Sequence, residues 1–280
     1  QGFHDEVVDG KPHRAAPVRV AAEHPTIALA RDIADFVVFT GHAELKGLLL
    51  VNFAERADAK VAEEFVLINE PFEDHLKRAA HAVEVAKFFG CKYIRMFSFF
   101  IPEGEDADTY RDEVMRRMTA LAQTVQARQG RGVTLLHENE KDIYGDTPER
   151  VVELVTAMDS PNYRAIFDPA NYVQCKTRPF DEAYPLVRPF IDYLHIKDAV
   201  AGVFDEAGLE KVVPAGQGDG QVRELLAAFA ASGYDGFLSL EPHLGNVDAF
   251  GGQSGPELWT VAADALVGIE GQQCRSHLVH

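Results

Sequence analysis

The stretch VTLLHENEKDIYGDTPERVVELVTAMDSPNYRAIFDPAN, residues 133–171, decides the fold. It opens on a short apolar run, Val133–His137, of strand length. Thr147-Pro148-Glu149 then supplies an N-cap residue followed by proline at the first helical position, and predicts a helix to about Met158. Tyr163–Phe167 is a second strand. Strand, helix and strand in this order make a βαβ unit, whose two strands run parallel. Each strand ends on an acidic residue, Glu138 after the first and Asp168 after the second.

The same alternation extends in both directions. Upstream, Phe72–Gly90 carries Leu76, Ala79, Ala80, Val83, Ala86 and Phe88 at helical spacing and stops at Gly90, a natural residue to follow a helix. Lys92–Phe100 reads as a strand and Asp106–Gln129 as a long amphipathic helix. Downstream come a helix near Phe180–Val187 interrupted at Pro185, a strand Ile191–Ile196, a helix Gln221–Ser232, a strand Phe237–Leu240 and a closing helix Gly255–Ile269. That gives five strands. The residues before Tyr93 leave room for three more, with candidates at Val18–Val20, Ala34–Phe39 and Lys46–Val51. Eight alternating units predict an α/β chain, a (β/α)₈ TIM barrel forming one domain over residues 1–280, a length slightly above the ~250 typical of such barrels.

Composition narrows the function classes. Apolar residues make up 46% of the chain, enough for a large core without disulfide or metal staples. No apolar run is long enough to span a membrane and no secretory leader pattern is visible. Cys91, Cys175 and Cys274 are scattered without a CxxC pair, which predicts a reducing, cytoplasmic location. The net charge of −17 opposes binding to nucleic acid, which needs lysine and arginine to neutralise phosphates. The sequence is compatible with a homo-oligomer.

Four strand ends carry a metal-ligand side chain: Glu138, Asp168, His195 and Glu241, separated by 30, 27 and 46 residues. Those intervals are about one βα repeat each, the last enlarged by a loop. In a barrel the C-terminal strand ends share one face, so the four side chains are expected to meet. Three carboxylates and one imidazole suit one divalent ion, Mn²⁺ or Mg²⁺ by preference, with Zn²⁺ and Co²⁺ also compatible. Taken alone, an acidic residue at a strand end is more often a helix cap or a solvated loop residue. Four in register make the site reading competitive. Lys197, two after His195, and His243, two after Glu241, fall on the same faces by strand alternation. Glu140, Asn171 and Arg95 complete the candidate substrate-binding set, and His42 is a weaker one. Gly216-Gln-Gly-Asp-Gly220 lacks the context of a dinucleotide fingerprint. It reads as a loop folding over the pocket and opening the next helix, with phosphate binding as an open alternative.

Five strings carry a family resemblance: His137-Glu-Asn-Glu-Lys141, Tyr144-Gly-Asp-Thr-Pro-Glu-Arg150, Phe167-Asp-Pro-Ala-Asn171, His195-Ile-Lys-Asp198 and Leu240-Glu-Pro-His243. Together, over roughly residues 71–268, they resemble the xylose-isomerase-like TIM-barrel superfamily, and within it the sugar phosphate isomerase/epimerase group. Residues 1–70 and Gln272–His280 depart from the usual family pattern. The resemblance implies that Glu138, Asp168, His195 and Glu241 hold one divalent metal. It further implies that Glu138 and Glu241 exchange protons with a small carbohydrate or polyol through a metal-stabilised enediolate. The implied activity is a sugar, sugar phosphate or inositol-derivative isomerase or epimerase. A metal-dependent dehydratase or lyase on a keto-polyol is the alternative, and an endonuclease IV-like repair enzyme a weaker one. Relatives of that last kind use extra histidines, whereas Asn171 stands three after Asp168 and no Asp-x-His pair follows His195.

Overall fold

The computed structural model describes residues 48–49, 67–129, 132–205, 208, 210–245, 247–248, 251–252 and 256–277. Six of its strands form one parallel sheet: β1 (Leu48–Leu49), β2 (Tyr93–Met96), β3 (Thr134–Glu138), β4 (Tyr163–Phe167), β5 (Ile191–Ile196) and β8 (Leu238–Leu240). They lie in chain order, β5 pairing directly with β8. The candidate strand Lys46–Val51 contains β1, which pairs parallel with β2. The candidates Val18–Val20 and Ala34–Phe39, and His42, lie outside the described residues.

Among the described residues the helices are α1 (Phe72–Phe89), α2 (Arg111–Gln129), α3 (Pro148–Met158), α4 (Pro169–Gln174), α5 (Tyr184–Val187), α6 (Val222–Ala231) and α7 (Pro256–His277). Local chemistry sets their ends. Gly90 sits at φ 67° and closes α1 with bonds to Ala86 and Lys87 carbonyls. Thr147 accepts from the Arg150 amide, with Pro148 next, and opens α3. On α2, Val114, Met118, Leu121 and Val125 form one buried stripe at helical spacing.

Several boundaries move from their sequence expectations. The strand expected over Lys92–Phe100 stops at Met96, and Phe100 makes only single bridges to Leu67 and Ile143. The helix expected from Asp106 begins with a 3₁₀ turn, Ala107–Tyr110, because the Asp106 carboxylate caps the Asp108 amide. The Phe180–Val187 segment breaks into a π turn (Pro179–Ala183), α5 and a 3₁₀ turn (Arg188–Phe190), as its three prolines at 179, 185 and 189 require. The enlarged interval after His195 holds a hairpin, β6 (Asp198–Phe204) paired antiparallel with β7 (Glu210–Val213).

Residue parity organises the strand interiors. Tyr93, Leu136, Ile166 and Tyr193 form a buried cluster with Phe237 packed on it. Two residues further along the strands, on the same face, stand Arg95, Glu138, Asp168, His195 and Ser239. One apolar layer thus supports one polar layer, the stacking that fills barrel interiors. Residues of the opposite parity, such as Ile94, Leu135, Phe167 and Leu194, are buried under the helices.

Candidate active site and metal centre

The polar layer converges. One ligand atom from each of Glu138, Asp168, His195 and Glu241 lies within 4.8 Å of the others. Glu138, Asp168 and His195 are fully enclosed, while the Glu241 side chain keeps 21% exposure at the mouth. His195 Nδ1 is 2.8 Å from Glu138 Oε1, 3.6 Å from Glu241 Oε2 and 3.8 Å from Asp168 Oδ2. Arg95, on β2, donates from Nε to Glu138 Oε2 and reaches Glu241 Oε1 at 3.7 Å. Lys197 Nζ donates to Asn171 Oδ1 at 2.9 Å and to Glu241 Oε2 at 3.3 Å, and lies 3.8 Å from Asp168 Oδ2.

Asp168 is held from three directions. Its backbone N–H donates to Asn139 Oδ1 and its carbonyl accepts from Asn139 Nδ2, both at 2.9 Å. The Asn139 amide thus prolongs the β3–β4 ladder one step past its last backbone pair. Asp168 Oδ1 accepts from the Asn171 amide at 2.9 Å and caps α4. Asn171 Nδ2 returns to the Asn139 carbonyl at 2.9 Å and to Glu140 Oε2 at 3.2 Å. Only Asp168 Oδ2 is left over, buried, without a hydrogen-bond partner and aimed into the cluster.

Buried carboxylates and buried cations face one another here. Burial, then the neighbouring Glu241 and Glu138 against the pull of Lys197, pushes the Asp168 carboxyl up to about 7. His195 resists burial and is lifted to about 10 by Glu138 and Glu241. Burial opposes ionisation of Glu138, but Arg95 and His195 win and hold it below its usual range. Burial likewise opposes ionisation of Glu241, yet Lys197 and His195 hold it well below. An orphan buried oxygen beside mutually repelling carboxylates fits a divalent cation, and these four residues are the ones that would hold it.

The remaining candidates take definite places. Glu140 accepts from the Lys141 amide at 2.8 Å and from Asn171, and burial raises its carboxyl. Asn171 is fully buried and its amide is committed to Lys197, Asn139 and Glu140. His243 is half-buried in the left-handed region at φ 41°, and burial, then Lys197, lowers it to about 4. The Gly216–Gly220 loop does open α6, but its amides do not await a phosphate. Gly216 and Gly218 donate to Asp198 Oδ2, and Gly220 and Ala199 donate to Oδ1, at 2.8–3.0 Å. An internal carboxylate already fills the nest, which corrects the phosphate alternative. Asn139 and Asp198 are the structural partners that the sequence reading left out. Their signal was an amide directly behind one strand-end ligand, and an aspartate beside Lys197 facing a Gly-x-Gly-x-Gly run.

A strand-end cluster on a parallel sheet is the layout of a TIM-barrel protein with its site on the C-terminal face. The chain belongs to the xylose isomerase-like TIM-barrel family, whose model matches residues 65–266. No curated protein sequence matches significantly. Among solved structures it is similar to a xylose isomerase domain protein from Planctomyces limnophilus, at 20% identity and TM-score 0.58, covering 79% of this chain and 76% of that one. It is similar to the probable 3-DHS dehydratase AsbF from Bacillus anthracis, at 18% identity and TM-score 0.55, with 72% of each chain covered. A third, a xylose isomerase-like TIM-barrel protein from Mycobacterium smegmatis in complex with magnesium, matches at 20% identity and TM-score 0.52, covering 71% and 66%. Identities this low establish the shared fold.

Proposed function

We propose that this protein is a divalent-metal-dependent isomerase or epimerase acting on a small carbohydrate or polyol. The observation that carries the reading is the meeting of Glu138, Asp168, His195 and Glu241 at one buried point. When a divalent cation is bound there, a substrate carbonyl and its neighbouring hydroxyl are polarised and the C–H beside them is acidified. Glu138 and Glu241 are the proton carriers: each is a carboxylate held ionised by a fixed cation, Arg95 for the first and Lys197 for the second. Asp168 and His195 fix the centre. Lys197 and Arg95 neutralise charge that develops on substrate oxygens, and His243, Glu140 and Asn171 border the place a polyol would occupy. The magnesium in the M. smegmatis relative supports a hard divalent ion, with Mn²⁺ or Mg²⁺ preferred here. Cys91 and Cys175 are free thiols, in keeping with a cytoplasmic location.

A second reading, loss of a β-hydroxyl from a keto-polyol, is favoured by one feature. Two buried cations stand side by side with the carboxylates, suited to an anionic or enolate-forming substrate. The relative AsbF points the same way. Incubation with candidate ketoses and inososes in D₂O, followed by NMR, tests both. Solvent deuterium beside the carbonyl with inverted or transposed product supports the first; a dehydrated product supports the second. No exchange with any sugar or keto-polyol by metal-loaded protein would overturn both.

A further inference from the structure

Lys197 stands directly beside two of the proposed metal ligands. Its ammonium is surrounded by three oxygens: Asn171 Oδ1 at 2.9 Å, Glu241 Oε2 at 3.3 Å and Asp168 Oδ2 at 3.8 Å. Two of these, Glu241 Oε2 and Asp168 Oδ2, are the same atoms that face His195 Nδ1 at 3.6 and 3.8 Å. If His195 and these carboxylates hold a metal, the same two oxygens lie between that ion and the ammonium, as they would between the paired ions of a two-metal site. Here one of the two centres is a covalently attached ammonium, placed there because Lys197 follows His195 by two along the strand direction.

We propose that Lys197 is a built-in second cation that fills the place of a second divalent ion and limits the centre to one. The proposal rests on the metal-centre reading above. Charge bookkeeping supports it. With His195 neutral as a metal ligand, the carboxylates of Glu138, Glu140, Asp168 and Glu241, set against the fixed cations Arg95 and Lys197, leave two negative charges that one divalent ion neutralises. A second divalent ion would bury two uncompensated positive charges, at high cost in a site shielded from water. Without the ammonium the balance shifts by one unit, and three oxygens converge on an open cation position. Asn171 belongs to this device. Its Oδ1 receives the ammonium, while its Nδ2 is tied to the Asn139 carbonyl and Glu140. These two bonds hold the amide in place independently of the lysine.

The test is metal stoichiometry, read without reference to activity. Chelator-stripped protein is titrated with Mn²⁺ alone by calorimetry, and bound metal is counted by elemental analysis after gel filtration. Wild type is expected to take one ion per chain. Lys197→Met and Lys197→Gln are each expected to take two, with an exchange-coupled Mn²⁺ pair in the EPR spectrum, and Lys197→Arg to remain at one. Circular dichroism identifies which neutral variant is folded, and either one suffices. Two ions in wild type overturn the proposal, as does one ion in the folded neutral variants or a second ion that shows no coupling to the first. Failure of wild type to take any ion removes the metal-centre reading itself, an outcome distinct from a defect confined to the variants.

Discussion

Glu241 is the most exposed of the four converging side chains, and it follows β8 without capping a helix. If it carries a proton as well as holding metal, Glu241→Gln keeps an oxygen ligand of nearly the same volume and removes the base. Turnover is then expected to fall by roughly 10²–10⁴ while Mn²⁺ affinity changes little. A metal-replete variant with near wild-type turnover would make Glu241 a ligand alone. His137, one residue before Glu138, points the other way. Its ring is fully buried beside Gly145 and Leu154, both ring nitrogens lack partners, and burial lowers it to about 4 from 6.5. The unfolded chain therefore takes up a proton between pH 6.5 and pH 4 that the folded chain refuses. Stability from the neutral ring is intact above pH 6.5 and is lost as pH falls through that window. From pH 7 to pH 5 this one group is expected to remove about 2 kcal/mol, on the linkage relation. Urea titrations of wild type and His137→Leu at the two pH values check it: the wild type should lose more, and equal losses would refute the assignment.

At the scale of elements, the β5–β6 junction shows how a loop is locked. Asp198 collects four backbone amides, three of them from residues 216–220, and the glycines there are a steric requirement. A Cβ on Gly218 would lie 2.5 Å from both the Ala199 carbonyl oxygen and Asp198 Oδ1. Gly218→Ala is expected to cost about 1–3 kcal/mol through overpacking. Gly268, inside α7, meets nothing within 4 Å, so Gly268→Ala is expected to stabilise by roughly 0.5–1 kcal/mol through helix propensity. Thermal melts of the pair should shift in opposite directions. The two changes have the same chemistry, and only the surroundings differ.

For the molecule as a whole, the proposed centre couples metal to stability. A ligand bound only by the folded state at a hundredfold excess over its Kd adds about 2.7 kcal/mol. That corresponds to a rise in Tm on the order of 5 °C for a chain of this size. Saturating Mn²⁺ should produce such a rise over an EDTA-treated sample, and an unchanged melt would count against the centre. The overall charge of −17 speaks to partners. Gel shifts with duplex DNA at physiological salt and micromolar protein should show no complex. A salt-sensitive shift would instead favour the endonuclease-like alternative.

The βα rhythm from residue 72 onward and the four strand-end side chains are legible in the sequence, because both depend on local rules. Helix caps such as Thr147-Pro148 and strand parity act over a few residues, and β-strand alternation places Glu138, Asp168, His195 and Glu241 on one face. The strand Ile191–Ile196 has the same bounds in sequence and structure for that reason. The tertiary structure decided what those side chains touch. Asn139 grips Asp168 across 29 residues of chain, Arg95 reaches Glu138 across 43 and Lys197 reaches Glu241 across 44. The hairpin after His195 and the Asp198 nest likewise depend on bonds between distant segments. Such contacts are set by strand order and register in the sheet, where residues far apart in sequence come within hydrogen-bond reach. No local pattern encodes which of several polar side chains will find which partner once water is excluded.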